Sequence, residues 1–384
     1  MGPSAVKYMG SKRAMLRNGL GELLTELVPA RDRFFDLFCG SGSVAGYVAQ
    51  RFSVPVHACD LQTYAVALTA CQVEQTASFA HEDVGESWIS TAAQWLAAFS
   101  SEWQRANQLL PSDSSFDAWR SAIRDARDFC SDLPDAFPTA QAYGGYYYSP
   151  VQAMVLDSLR ASLPSTHQTA ALAALIDAAS SCAAAPGHTA QPFSTKDSAL
   201  PHLAAAWGKD VSLVCLEALK RSASFKARVG GQASQSDAVS MTERMTPRDV
   251  AFIDPPYSEV QYSRFYHVLE SISRGSVGEV SGVGRYPALE SRPQSKFCLV
   301  TKSAEAFDEL MLGIACSGAD ALVTFPAQSA SNGLSGDLVE AISGQYFRVK
   351  TRKVTSLFST LGGNAISRHA RKPATELILH LDVG

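Results

Sequence analysis

Residues 33–60 read RFFDLFCGSGSVAGYVAQRFSVPVHACD, and their pattern decides the fold. A short apolar run, RFFDLFC (33–39), is closed by Gly-Ser-Gly. Val44, Tyr47 and Val48 then recur at helical spacing, and VPVHACD (54–60) is a second apolar run ending in an acid. Strand, glycine turn, helix and strand make a βαβ opening, the start of a parallel sheet covered by helices. Gly40-x-Gly42-x-x-Ala45, with Asp60 twenty residues beyond Gly40, satisfies the dinucleotide-type fingerprint. That pattern alone admits NAD, FAD or any adenosine cofactor whose ribose a carboxylate can hold. Asp36 and Asp60 give the loop a negative lining, which suits a cationic sulfonium or ammonium better than a pyrophosphate and points toward S-adenosylmethionine.

Working outward, strands return at 249–254, 319–326, 346–354 and 374–383, the last two read as an antiparallel pair closing the sheet. Between the halves the texture changes to Ala, Ser and Gln, and all five tryptophans fall there. Trp88, Ala92, Trp95, Phe99 and Trp103 follow 3.6-residue spacing and form the buried stripe of a helix. Ser149, Pro150 and Gln152 supply an N-cap, a first-turn proline and a capping box. The expected organisation is a cofactor-binding half over 1–80, a helical insertion over 81–230 and a catalytic half over 231–384. The fold class is α/β: a Rossmann-like, mostly parallel sheet with an antiparallel C-terminal strand pair.

The 384 residues carry a net charge of −4, and no global positive field announces a polyanionic partner. Eight cysteines without metal-ligand spacing read as reduced, buried thiols, and no metal site is expected. No apolar run is long enough to span a bilayer, so the expected location is cytoplasmic.

The chemistry concentrates in VAFIDPPYSEVQYSRFYHVLE (250–270). Asp254 ends a strand, where open α/β sheets bind ligands. Pro255 and Pro256 lack backbone donors and fix φ, so their carbonyls are acceptors at set positions. An acceptor-only carboxylate beside such a carbonyl receives an NH2 group, and Tyr257 adds a flat face for a base. Beyond it, Tyr262, Arg264, Tyr266 and His267 are candidates to cover a base and grip phosphates, although His267 sits on a helical pattern where a structural role competes with proton transfer. Toward the C-terminus, Arg348, Lys350 and Arg352 share one strand face as candidate phosphate contacts, with a charged edge strand as the competing reading.

KYMGSKRAML (7–16), FFDLFCGSGSVAGYVA (34–49), ACD (58–60), QSDAV (235–239), FIDPPYSEVQYSRFYHVLE (252–270) and TELILHL (375–381) together resemble the adenine-specific DNA methyltransferases of the DNA adenine methylase type. The resemblance implies methyl transfer from S-adenosylmethionine to adenine N6 in double-stranded DNA, with a target-recognition insertion and a cognate restriction or defence nuclease as a partner. It also implies roles for individual residues: Tyr8 and Lys12 near the methionine end of the cofactor, Phe38, Gly40 and Gly42 around it, Asp60 on its ribose, Asp237 and Ala238 flanking its adenine, and Asp254, Pro255 and Tyr257 on the target amine. TFPAQS (324–329) departs from that family's usual Ser-Tyr pair. A cytosine-N4 methyltransferase, an RNA or protein-glutamine methyltransferase and a non-enzymatic nucleotide-binding module remain open on the residues alone.

Overall fold

The computed structural model describes residues 12–111, 113–359 and 371–384. The chain forms two compact units. One comprises residues 12–78, Phe225–Tyr262 and Pro293–Gly384. The other comprises Phe79–Ser224 and Ser263–Arg292, so a segment that the sequence reading groups with the catalytic half clusters with the insertion.

The first unit is built on a seven-stranded sheet. Its strands are β1 (Arg33–Asp36), β2 (Val56–Asp60), β3 (Gln232–Gln235), β4 (Asp249–Ile253), β7 (Asp320–Pro326), β8 (Arg348–Ser359) and β9 (Arg371–Asp382); β5 (Val280–Ser281) and β6 (Tyr286–Pro287) form a separate hairpin in the second unit. The sheet order is β3-β2-β1-β4-β7-β9-β8. Pairing is parallel from β3 through β7, and β9 runs antiparallel to both β7 and β8. Short β3 is not legible in the sequence because QASQ carries no apolar alternation; its partner β2 supplies the apolar side chains.

Successive residues of a strand point to opposite faces, and both faces of this sheet are covered. Phe34, Val56, Val250, Phe252, Leu322 and Ile378 enter one core, while Phe35, Cys59, Ala251, Ile253, Val323 and Leu379 enter the other. Each fully buried Phe stabilises by about 1.5–3 kcal/mol relative to exposure, which fixes the register of β1 against β4. Below them Asp249, fully buried, is held by Arg33 at 2.6 Å and by the Thr246 amide and hydroxyl at 2.7 and 2.9 Å. The order reverses between β1 and β4, so their carboxyl ends open the crevice at which such sheets bind ligands.

The second unit is helical apart from its hairpin. Ser149 caps Pro150–Ala161 with the full capping box, its hydroxyl accepting from Gln152 N at 3.2 Å while Gln152 Oε1 accepts from Ser149 N at 3.1 Å. The tryptophan stripe is broken: one helix spans His81–Ala97 and the next Ser100–Gln108, with Phe99 between them. Trp88 and Ala92 are buried, and Trp88 Nε1 donates to the Leu159 carbonyl at 2.9 Å. The cysteines are unbridged, and the expectation of buried thiols fails at Cys316, which is exposed near the end of Ser303–Ser317. Among the described residues no helix is long and apolar enough to cross a membrane.

Candidate active site

The turn after β1 has little conformational choice. Gly42 lies at φ 72°, and a Cβ there would fall 2.4 Å from Gln72 Nε2, so glycine is required both by the backbone and by the packing. Gln72 in turn donates to the Ser41 carbonyl at 3.0 Å. Asp60, ending β2, accepts the Gly40 amide at 3.1 Å on Oδ2 and the Gln62 amide at 2.9 Å on Oδ1. One carboxylate therefore joins the glycine turn to the second strand, and it is itself only half-buried. Asp237 and Ala238 open the short helix Ala238–Thr242 just past β3; Asp237 is exposed and accepts the Val239 amide at 2.9 Å, while Ala238 is buried.

Lys12, Asp36, Phe38, Gly40 and Asp254 line one narrow cleft with Ser41 and Phe252. Lys12 Nζ lies 2.9 Å from Asp254 Oδ1 and 3.4 Å from Glu376 Oε2, and it is almost fully buried. Burial alone lowers an ammonium pKa, but the two carboxylates outweigh it and hold Lys12 raised and charged. Burial raises the Asp254 pKa; Lys12 and a hydrogen bond from Thr324 Oγ1 to Oδ1 at 3.0 Å oppose that shift. Since both converge on Oδ1, Oδ2 is the oxygen placed to accept from something else. Asp36 differs: Oδ2 accepts the Ala45 amide at 3.1 Å, but Oδ1 is buried with no hydrogen-bond partner. Burial, followed by the neighbouring Asp254 charge, pushes its pKa up to about 8.

The loop after β4 is held from beneath. Asn332, fully buried, donates through Nδ2 to the Pro256 carbonyl at 2.8 Å and to the Phe297 carbonyl at 2.9 Å, and its Oδ1 accepts the Leu334 amide at 3.2 Å. The Pro256 carbonyl is thus engaged internally, a correction to the reading of both proline carbonyls as open acceptors. Tyr257 has its ring centroid 6.0 Å from Lys12 Nζ, and the Tyr262 side chain hydrogen-bonds its hydroxyl.

Other expected site residues lie elsewhere. Tyr8 is outside the described residues. Tyr266 and His267 are buried in the helical unit, which corrects their reading as base contacts. His267 Nε2 lies 2.8 Å from the Gly284 carbonyl and Nδ1 3.1 Å from the Arg264 carbonyl, and burial lowers its pKa to about 4, so it is a neutral, structural histidine. Arg264 is exposed. Arg348, Lys350 and Arg352 are exposed along β8, an edge strand, with Arg352 3.8 Å from Glu26. Thr324, Asn332 and Glu376 escape the sequence reading. Thr324 opens TFPAQS, the stretch that departs from the family pattern, and Glu376 lies in TELILHL; Asn332 sits in a Ser/Gly loop with no signal of its own.

A doubly covered parallel sheet, closed by an antiparallel strand between its last two parallel-running members and carrying a glycine turn and two strand-end acids at its reversal point, is the architecture of the α/β methyltransferase class. Residues 8–148 and 215–323 match the model of the D12 class N6 adenine-specific DNA methyltransferases, and the chain belongs to that family. It is accordingly an enzyme that methylates adenine N6 in DNA, and the cytosine-N4 alternative is not favoured. The family match omits 149–214, within the helical unit. No curated protein matches the sequence.

Proposed function

We propose that the chain transfers the methyl group of S-adenosylmethionine to the N6 amine of an adenine turned out of double-stranded DNA, with Asp254, Pro255 and Tyr257 receiving the base. The observation that carries this reading is the division of labour around Asp254: Lys12 and Thr324 hold Oδ1 and Asn332 holds the Pro256 carbonyl, so that in this reading Oδ2 and the Pro255 carbonyl receive an amine with two donors.

The cofactor assignment is supported by the unpartnered, buried Oδ1 of Asp36, whose carboxyl gives up its proton only near pH 8. A cationic head beside it removes that penalty, whereas a pyrophosphate adds to it. Asp36, Phe38, Gly40 and Lys12 hold the methionine end in this reading, Asp60 the ribose, and Asp237 with Ala238 the adenine. When bound, S-adenosylmethionine supplies an electrophilic methyl group. Asp254 Oδ2 and the Pro255 carbonyl accept the amine hydrogens and so orient the nitrogen lone pair away from themselves. The Tyr257 ring, tethered through Tyr262, offers a stacking face for the base. As the amine is methylated, its surplus proton can pass to Asp254 or water. Turning out a paired base costs a few kcal/mol, least at a mismatch, so duplexes carrying a mismatched target adenine are expected to react faster.

Duplex DNA incubated with the purified chain and labelled S-adenosylmethionine tests the reading: label should appear in N6-methyladenine, and titration without DNA should show S-adenosylmethionine binding. A chain that binds the cofactor but labels only single strands or RNA overturns the duplex assignment.

A further inference from the structure

In the helical unit the four-residue turn of the β5–β6 hairpin is anchored through Gly284 and Arg285 and exposed at Gly282 and Val283. The buried Tyr147 hydroxyl donates to the Thr189 carbonyl at 2.7 Å and lies 3.0 Å from the Gly284 carbonyl, which is itself 2.8 Å from His267 Nε2. A Cβ on Gly284 would lie 2.3 Å from the Tyr286 ring and 2.5 Å from the Ala190 carbonyl. Arg285 takes a left-handed φ of 53°, and its Nε donates to the Ala142 carbonyl at 2.8 Å while its guanidinium lies 4.7 Å from the Tyr146 ring. The Tyr286 hydroxyl donates to the Ala190 carbonyl, and the Thr189 amide donates to the Phe265 carbonyl at 2.8 Å. Thr189 and Ala190 belong to the stretch that the family match omits, so that added segment buttresses the hairpin. Directly before this anchor in the turn, Val283 is 74% exposed, next to Gly282 at φ 71°.

Two further guanidiniums gather at the hairpin. Arg264 and Arg292 lie 4.8 and 5.6 Å from the Tyr286 ring, and neither pairs with a carboxylate among the described residues. Arg292 Nε is buried without a hydrogen-bond partner. Two cations against one ring repel each other, and a bound anion relieves that repulsion. A guanidinium stacked on an aromatic face is already ordered and keeps its edge donors for a planar or tetrahedral oxyanion.

We infer that this hairpin is a duplex-DNA clamp: Arg264 and Arg292 take backbone phosphates, and Val283 at the rigid tip enters the groove as an apolar probe. The inference rests on the reading of DNA as the substrate, and it assigns the grip to a segment outside the 81–230 insertion. Phosphate contacts position the duplex and carry no sequence information directly, whereas an apolar tip in a groove responds to local shape and deformability.

The test is equilibrium binding of a fluorescent duplex across a salt series, with target and random sequences. R264Q/R292Q should weaken both alike and flatten the slope of log K against log salt by about 1.8, at about 0.9 for each lost phosphate contact. If the double variant melts below the assay temperature, R264Q alone, at an exposed position, should flatten it by about 0.9. V283S should lose several-fold in duplex affinity at unchanged slope. A slope unchanged in R264Q overturns the phosphate assignment, and V283S binding like wild type overturns the probe. Wild-type protein from the same preparation is assayed for N6-methyladenine. Methyl transfer with unaltered variant binding sinks this inference alone, while altered variant binding without methyl transfer sinks the functional reading and leaves the clamp standing.

Discussion

Asp36 and Asp254 occupy comparable places, at the carboxyl ends of neighbouring parallel strands, Asp36 buried and Asp254 largely so. Their surroundings are opposite. Asp254 has a buried ammonium at 2.9 Å and a hydroxyl at 3.0 Å on one oxygen; Asp36 has only backbone amides, Ala45 at 3.1 Å and Phe38, and neither a cation nor a hydroxyl among the described residues. A buried carboxyl left without compensation keeps its proton, and burial raises both pKa values, Asp36 to about 8. One acid is thus set up as an acceptor before any ligand arrives. The other holds a deficit that a cation removes.

The largest effect expected from this contrast comes from Asp254→Ala. Loss of the acceptor should lower kcat by about 10²–10³-fold or more, by analogy with the removal of one preorganised transition-state hydrogen bond. S-adenosylmethionine affinity, measured without DNA, should change far less. Near wild-type turnover would mean that Asp254 only caps its strand.

Lys12→Gln makes Asp254 resemble Asp36. Without the ammonium, burial raises the Asp254 pKa further, the ionised fraction at a given pH falls, and the acidic limb of kcat moves to higher pH. The profile is read at saturating cofactor, so that a change in cofactor binding does not enter. A limb that stays in place shows that Lys12 serves the cofactor alone.

Asp36→Asn probes the uncompensated acid in the opposite sense. Its folded pKa, about 8, lies above the ordinary carboxyl value of 3.8 that holds in the unfolded chain, so the folded state keeps a proton that the unfolded chain has lost. The wild type therefore loses stability as pH rises from about 4 to about 8, and the loss is complete above that window. The neutral amide escapes it. Thermal melts without cofactor should show the variant gaining on the wild type across that window and running parallel above it, while its S-adenosylmethionine affinity falls about tenfold, the loss expected for one hydrogen bond to a charged group. A stability difference that does not vary with pH would remove Asp36 as a titrating group.

These contrasts also mark what the sequence can and cannot tell. Glycine turns and strand-end acids are local patterns, so β1, β2 and β4 and the positions of Asp36, Asp60 and Asp254 are legible. Compensation is non-local. Thr324 reaches Asp254 from β7 and Glu376 reaches Lys12 from β9, contacts set by strand order rather than spacing. Asn332 belongs to the same group, since a polar residue in a Ser/Gly loop reads as solvated until the fold buries it. Tyr266 and His267 err the other way. Their composition and place after the Pro-Pro turn fit an exposed aromatic cover, but the helix Tyr262–Arg274 kinks at Tyr266, where φ is −128° and ψ 16°, and both side chains are buried in the helical unit.

Thr324→Val carries the smallest effect and the finest discrimination. Valine keeps the shape of threonine and deletes only Oγ1, so packing beside Asp254 is preserved while Oδ1 retains Lys12. A hydrogen bond to a charged group contributes about 1.5–3 kcal/mol, roughly one to two pH units if all of it bore on ionisation. Much of that is recovered by the ammonium already at Oδ1, whose attraction opposes burial more strongly than the hydroxyl does. The acidic limb of kcat should therefore move upward by about one unit or less, in the direction of Lys12→Gln but by a smaller amount. The ordering of the two shifts is the measurement. If Thr324→Val moves the limb further than Lys12→Gln, the hydroxyl rather than the cation keeps Asp254 ionised, and the distinction between a compensated and an uncompensated strand-end acid fails.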